Sequence, residues 1–346
     1  MAYISKISIK SFRGIQNLVV DSFNNINIVL GDNNCGKTSF LEAVMFLRTS
    51  NDISNIYRIS NVRDSLSLDA SPSSYEKIMC MFSRDIDNRN IEITGEMNNK
   101  GISYRLFGEE SKVLLNTIEV DSFSGVSELL YGSKKKTRRI SLARTSHTKG
   151  VRIEDSDDFP IVYLAPFEHL KGNVVNRIVA NKDYKEICLD LIKMFDPDIE
   201  DLMILKSDVG DRPVEYIRHK RLGNMPLSTY GDGIKKVLTL CNAIVKANGG
   251  ILLIDEIDTA IHKKYYDNIF AFLISACLRF NIQMFVTTHS IEAIDAFLAS
   301  QDYDNSSNER INVVTLKRED NKTYCRVMPG KEVYLNRERF GFEVRL

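Results

Sequence analysis

Residues 3–12 alternate, with Ile4, Ile7 and Ile9 set between polar neighbours, and this predicts a half-buried strand. Ile26-Asn27-Ile28-Val29-Leu30 is a short apolar run ending in glycine and predicts another strand. Over residues 38–47 the period becomes helical: Phe40, Leu41, Val44, Met45 and Leu47 recur with no Gly or Pro between them. A strand, a glycine-bearing loop and a helix therefore follow one another. The same regularity returns after Gly223. A helix opens at Gly231-Asp232-Gly233 and runs to about Ala247. It is followed by an apolar strand at Ile251–Ile254, a helix over 265–280, a strand over 284–288 and a helix over 291–298. Apolar strands alternating with helices predict a parallel sheet covered on both faces. Residues 311–316 and 323–328, parted by Asn321-Lys322, predict a closing hairpin.

Between 51 and 224 the pattern is less regular. It holds a Ser- and Asp-rich stretch over 65–74 and a hairpin over 91–107 that turns at Asn98-Asn99-Lys100-Gly101. A buried strand is expected at Ile161-Val162-Tyr163-Leu164, and a helix over 184–195 stops at Asp196-Pro197. Neither an internal repeat nor a heptad array is present.

Composition narrows the function classes. The 346 residues are 43% hydrophobic and 27% charged, and 46 basic residues balance 46 acidic ones, so a generic nucleic-acid coat is excluded. Contact with nucleic acid would have to come from local clusters. One such cluster is Lys134-Lys135-Lys136-Thr137-Arg138-Arg139, read either as a solvated loop or as a docking patch for nucleic acid or an acidic partner, with the acidic stretch 154–158 close behind to neutralise it. The longest charge-free apolar run, about 268–278, is short of the ~20 residues that cross a bilayer, and no basic-then-apolar leader opens the chain. Six cysteines lie far apart with no CxxC pair. Together these features predict a cytoplasmic protein with reduced thiols and no membrane partner.

Four segments carry chemistry. Gly31-Asp32-Asn33-Asn34-Cys35-Gly36-Lys37-Thr38 fits GxxxxGK[ST] between a strand and a helix. There Asn33, Asn34, Cys35, Gly36 and Ser39 would line phosphate through the loop backbone, Lys37 would reach the outer phosphates, and the Thr38 hydroxyl would ligate Mg²⁺. Cys35, beside Lys37 and a helix N-terminus, is expected to carry a stabilised, reactive thiolate. Asp255-Glu256 end an apolar strand; a carboxylate pair there is costly without a metal or substrate, so Asp255 would hold Mg²⁺ and Glu256 would polarise the attacking water, the alternative being an exposed helix-cap pair. His289 follows the next strand, at the same sheet edge, and is assigned to the γ-phosphate. Ser228, Gly231 and Gly233 precede a helix whose first turn holds Lys235 and Lys236; the turn is read as an anion nest, since those lysines oppose the helix dipole, or as an ordinary N-cap.

Together these segments resemble the ABC-class ATPases of the SMC and OLD (overcoming lysogenisation defect) kind, especially compact ones of bacterial defence loci. Phe12-Arg13-Gly14-Ile15 looks like the FRGI element, residues 31–39 like the GxNNxGKTS loop, 228–236 like SYGDGxKR, 251–258 like LLIDEID, and 287–290 like TTHS. The resemblance implies an ABC-type P-loop α/β fold with a mostly parallel core sheet, an antiparallel β lobe and a helical insert. Its core would be split between 1–50 and 225–346, with 51–224 inserted and 161–168 rejoining the core sheet. It also implies an ATPase using ATP and Mg²⁺, catalytic Lys37, Glu256 and His289, and Arg13 near the nucleotide. In that family two subunits sandwich ATP, so Ser228, Gly231 and Gly233 would complete the other copy's site, with His262 at the dimer-contacting loop. A homodimer or higher oligomer and a separate effector protein are implied partners. Two features depart from the pattern. No glutamine lies between the phosphate loop and the signature, leaving Ala165-Pro166-Phe167-Glu168 as the equivalent turn, and residues 290–346 are too few for the nuclease domain of full-length OLD proteins. The competing reading is an ATP-held scaffold that restrains an effector with little turnover; an intact Glu256 favours the ATPase.

Overall fold

A computed structural model describes residues 3–48, 53–64, 72–83, 89–115, 117–145, 159–172, 174–206, 213–301, 303, 309–320 and 322–345. The chain begins with an antiparallel pair, β1 (Ile4–Phe12) and β2 (Ile15–Val20). β3 (Ile26–Gly31) then enters the glycine loop and α1 (Lys37–Met45) leaves it. Helices α2 (Ile53–Asn61) and α3 (Ser74–Met79) lead to a meander of β4 (Arg89–Met97), β5 (Lys100–Leu115), β6 (Ile118–Tyr131) and β7 (Lys134–Ala143). β8 (Ile161–Leu164) is followed by α4 (Asn176–Val179), α5 (Lys182–Ile192) and three strands, β9 (Ile199–Lys206), β10 (Pro213–His219) and β11 (Gly223–Pro226). The remainder runs α6 (Asp232–Lys246), β12 (Ile251–Ile254), α7 (Tyr266–Arg279), β13 (Gln283–Thr287), α8 (Ile291–Ala299), β14 (Ile311–Glu319), β15 (Lys322–Pro329) and α9 (Gly330–Phe340).

The central sheet has the order β15-β14-β3-β13-β12-β8, parallel throughout except for the closing hairpin. Period-two alternation sends its side chains to two cores. Ile26, Ile28, Leu30, Leu252, Ile254, Met284 and Val286 pack with α5 to α8, whereas Val29, Ile251, Leu253 and Phe285 pack with α1 and the antiparallel sheet. A parallel sheet covered by helices on both faces was expected; one face instead carries a single helix backed by a second sheet. This explains α1, in which every residue but Thr38 is buried: the helix is clamped between two sheets. Phe46 of its last turn stacks on Tyr104 of β5 at 4.5 Å.

The antiparallel sheet has the order β2-β1-β4-β5-β6-β7, so it straddles the boundary expected at residue 50. The predicted hairpin over 91–107 is its centre, turning on Asn98 and Asn99 at φ 51° and 58°. The basic run is not a loop: it is the first half of the edge strand β7, with all six side chains exposed and Lys135 paired with Glu128 across the ladder at 2.8 Å. Lysines on an edge strand oppose unwanted strand pairing, which accounts for their number there. The acidic stretch 154–158 and residues 65–71 lie outside the described residues. The pattern missed β9 to β11, which form their own sheet, and α9. Among the described residues no helix is long and apolar enough to cross a membrane.

Candidate nucleotide site

The cleft forms where β3, β12 and β13 end side by side, because parallel strands present all their C-terminal loops at one edge. Asn33, Asn34, Gly36, Lys37, Thr38, Ser39, Asp255, Glu256 and His289 line one cavity of about 190 Å³, together with Arg63. The loop is possible only with its glycines. Gly31 has φ 133°, and a Cβ there would lie 2.1 Å from the Leu316 carbonyl oxygen. Gly36, at φ 106°, caps α1 and faces Ile15. Lys37 is buried, and its Nζ donates to the carbonyls of Gly31 at 2.7 Å and Asp32 at 2.8 Å. Burial lowers its pKa, opposed by the nearby Cys35, Asp255 and Glu256.

Asp255 gathers the site. Its Oδ2 accepts from the Thr38 hydroxyl at 2.8 Å and the Tyr163 hydroxyl at 3.1 Å, and its Oδ1 accepts from Thr287 at 2.6 Å. Glu256 stands at φ 47°, a left-handed conformation uncommon for a residue with a Cβ, and its N–H donates to the Thr287 hydroxyl at 2.8 Å. Glu256 lines the same cavity as the loop residues. The next residues are tied in the same way: Thr288 donates to Asp258 at 2.6 Å, and the His289 carbonyl accepts from Arg345 at 3.2 Å.

Four expected residues are placed differently. Arg13 does not line the cavity; it lies behind it, its Nε 2.7 Å from buried Glu42, which also binds Arg63, whose guanidinium in turn donates to Ser39 at 3.0 Å. Cys35 is buried, and desolvation raises its thiol pKa despite Lys37, so the stabilised thiolate is not found. Lys235 and Lys236 are not left facing the helix dipole: Lys235 pairs with Asp232 at 3.3 Å, and Lys236 is buried with its Nζ on the Pro166 carbonyl at 2.9 Å, its pKa lowered to about 8 chiefly by desolvation. Ser228, Gly231 and Gly233 stand at the start of α6 and do not reach their own chain's cleft. His262 caps the turn before α7, its Nδ1 accepting from the Lys264 N–H at 3.2 Å.

The sequence reading missed Tyr163, Thr287 as a ligand of Asp255, and Arg63 with Glu42. Thr287 was quoted within a motif without a role. Tyr163 was visible only as an apolar strand residue. Arg63 carried no signal, since its meeting with Ser39 depends on where α2 lies on α1. A second cluster, Asp196, Asp198 and His219, is internally satisfied: His219 Nε2 faces Asp196 at 3.2 Å, its Nδ1 accepts main-chain N–H groups, and Asp198 pairs with Arg221.

A protein family described as "AAA domain, putative AbiEii toxin, Type IV TA system" matches residues 26–295, a span running from β3 into α8 and enclosing every cleft residue. The chain belongs to this family. With it comes membership of the AAA class of ATPases. An ATP/GTP phosphatase of Helicobacter pylori is 25% identical over 381 aligned positions, covering 97% of this chain and 98% of that protein. The DNA replication and repair protein RecF of Clostridium kluyveri is 25% identical over 198 residues, 56% of this chain and 50% of that one. A crystal structure of an SMC head bound to the C-winged helix domain of ScpA superposes with a TM-score of 0.51 at 14% identity, over 96% of this chain and 100% of that one. The fold is thus the SMC-head, ABC-type ATPase fold expected from the motifs.

Proposed function

We propose that the protein is a Mg²⁺-dependent ATP hydrolase in which two copies close on ATP and reopen after hydrolysis, gating a separate effector protein of a defence or DNA-maintenance system. One observation carries the reading. The Thr38 hydroxyl and the Asp255 carboxylate, 217 positions apart, meet at 2.8 Å beside the Lys37 ammonium. A hydroxyl and a carboxylate form the hard oxygen donor set that suits Mg²⁺, and these two side chains would hold it. Bound there, the ion would neutralise charge on the β- and γ-phosphate oxygens.

The chain's own groups supply the rest. Lys37 exchanges the Gly31 and Asp32 carbonyls for outer phosphate oxygens, and the N–H groups at the start of α1 face the same charge. Thr287 and Tyr163 hold Asp255 in place by hydroxyl donation. Glu256 accepts the proton of the attacking water, and His289, lining the same cavity, contacts the γ-phosphate. Arg13 acts at one remove, fixing Glu42 and through it Arg63 and Ser39.

The start of α6 supports the two-copy part. Gly231 has an ordinary φ of −67°, and a Cβ on it would meet nothing within 4 Å, so neither backbone nor packing within the chain requires glycine. A helix N-terminus kept bare and exposed suits the approach of another molecule's phosphate. The name of the Helicobacter relative and the family's AAA class agree with hydrolysis, and the RecF and toxin-family descriptions agree with the biological setting. Glu256→Gln should bind ATP normally and slow steady-state phosphate release by about 10²- to 10⁴-fold, the usual range for a lost general base. Turnover within a few-fold of wild type would remove Glu256 from the mechanism.

A further inference from the structure

After α9 the chain returns to the nucleotide cleft. The helix ends at Gly341, whose φ of 60° turns the chain back toward the central sheet. Side chains from three elements then lay the next residues down. Arg337 of α9, paired with Asp295 of α8, donates to the Phe342 carbonyl at 2.7 Å. The Thr315 hydroxyl of β14 donates to the Val344 carbonyl at 2.8 Å, and the Val344 side chain is fully buried in the core. Thr315 borders the phosphate loop: it lies opposite Leu30 in the ladder, and its neighbour Leu316, opposite Gly31, carries the carbonyl that crowds Gly31.

Arg345 reaches from this segment to the other wall of the cleft. Its Nε and Nη2 donate to the two Glu343 oxygens at 2.8 Å each, and its Nη1 donates to the His289 carbonyl at 3.2 Å. A planar guanidinium locked on a carboxylate has its remaining N–H groups aimed, which a lysine could not achieve. The hydrogen bonds to Glu343 hold it charged, and the Asp32 carboxylate of the phosphate loop adds to that field. On either side of His289, the Thr288 hydroxyl donates to Asp258 at 2.6 Å and the Ser290 hydroxyl accepts from the Ala293 N–H at 3.1 Å. Three consecutive residues are thus tied. The outer two are held by neighbours within the cleft motifs and their helix, and the middle one by a segment those motifs do not include. Only χ1 and χ2 separate the His289 ring from its main chain, so fixing the carbonyl restricts where the ring can point.

We infer that residues 341–345 form a strap that positions His289 against the phosphate loop, with Arg345 as the positioning residue. The inference deepens the proposed hydrolytic site and rests on the assignment of His289 to the γ-phosphate. The strap is anchored on β14, the strand that flanks the phosphate loop, and it ends on the loop that carries His289, so it sets the spacing of the two walls.

The strap can be read on the nucleotide-free protein. Five histidines give a sparse imidazole ¹H–¹³C spectrum, in which the His289 signal is the one lost in His289→Gln. Arg345→Ala should shift or broaden that signal and leave the others in place, and Thr315→Val, which removes the hydroxyl on Val344, should do the same to a smaller degree. A His289 signal unmoved in Arg345→Ala would overturn the proposal. So would movement of every histidine signal, since the segment would then only brace the fold. In turnover, Arg345→Ala should lower kcat by about tenfold and change KM for ATP by less than about twofold. Combined with His289→Gln it should cost nothing further, because both changes remove the same contact. Losses that multiply would also overturn the proposal, as Arg345 would then act apart from His289. Wild-type turnover by His289→Gln would instead remove His289 from hydrolysis, and the histidine spectrum would still decide the strap.

Discussion

The glycine-bearing helix N-termini of α1 and α6 are built on opposite principles. At α1 the glycines are demanded by the chain itself: Gly31 and Gly36 have φ of 133° and 106°, and a side chain on Gly31 would collide with the Leu316 carbonyl. The lysine there is buried against main-chain oxygens, and carboxylates from β12 close the cavity. At α6 Gly231 has an ordinary backbone and empty space around it, Asp232 already supplies the acid that a helix N-terminus favours, and the lysines are engaged elsewhere. One terminus is finished within a single chain. The other is left bare, as the proposed two-copy site requires.

The contrast is most severely tested at Gly231. Gly231→Ala and Gly231→Asp should both fold and melt close to wild type, because a Cβ there meets nothing within 4 Å and the position is exposed. Gly231→Asp should nevertheless lose hydrolysis by about 10²-fold or more, since it places a carboxylate where a phosphate would sit. Gly233 is a less clean position for this test, as its Cβ would touch the Ala260 carbonyl and Phe195 at 3.4 Å. Normal turnover of Gly231→Asp would mean that the bare terminus serves no phosphate.

A smaller effect separates the lysines. Lys236, buried with a pKa lowered to about 8, loses its proton in the folded state well before the unfolded state does near 10.5. Between those values the unfolded chain binds more protons, so stability attributable to Lys236 rises with pH, and the penalty is fully present below pH 8. Relative to Lys236→Met, the wild type should gain up to about 3 kcal/mol from pH 8 to 10.5, measured by urea unfolding. A difference flat with pH would show that Lys236 is not held in a desolvated site. The smallest effect concerns Cys35: buried and with a raised thiol pKa, it should alkylate far more slowly than exposed Cys80, as peptide mapping after brief iodoacetamide treatment would show. Labelling of Cys35 first would mean the loop opens readily.

What the sequence revealed and what it hid divide along the same line. The phosphate loop, Asp255-Glu256 and His289 were legible because local geometry places each at the end of a buried strand, and parallel strands bring such ends together. Tyr163, Arg63 and Glu42 were not, because each meets the cleft through packing between elements distant in sequence. Cys35 was misjudged since neighbouring charge is visible in the sequence and burial is not. The middle of the chain was obscure for a related reason: the basic run of β7 is explained only once the strand is known to be an edge.

The central claim, that the bare terminus of one copy completes the phosphate loop of another, is tested most directly by mixing two inactive proteins. Lys37→Ala removes the cation of the loop and leaves α6 intact; Gly231→Asp spoils α6 and leaves the loop intact. In a mixed pair, one of the two shared sites joins the good loop to the good terminus. ATPase activity should therefore reappear on mixing and peak near equal proportions, at up to about one quarter of wild type, if pairing is random and sites act independently. Activity absent from mixtures in which differently tagged copies are shown to associate would contradict the account and place all of the chemistry within a single chain.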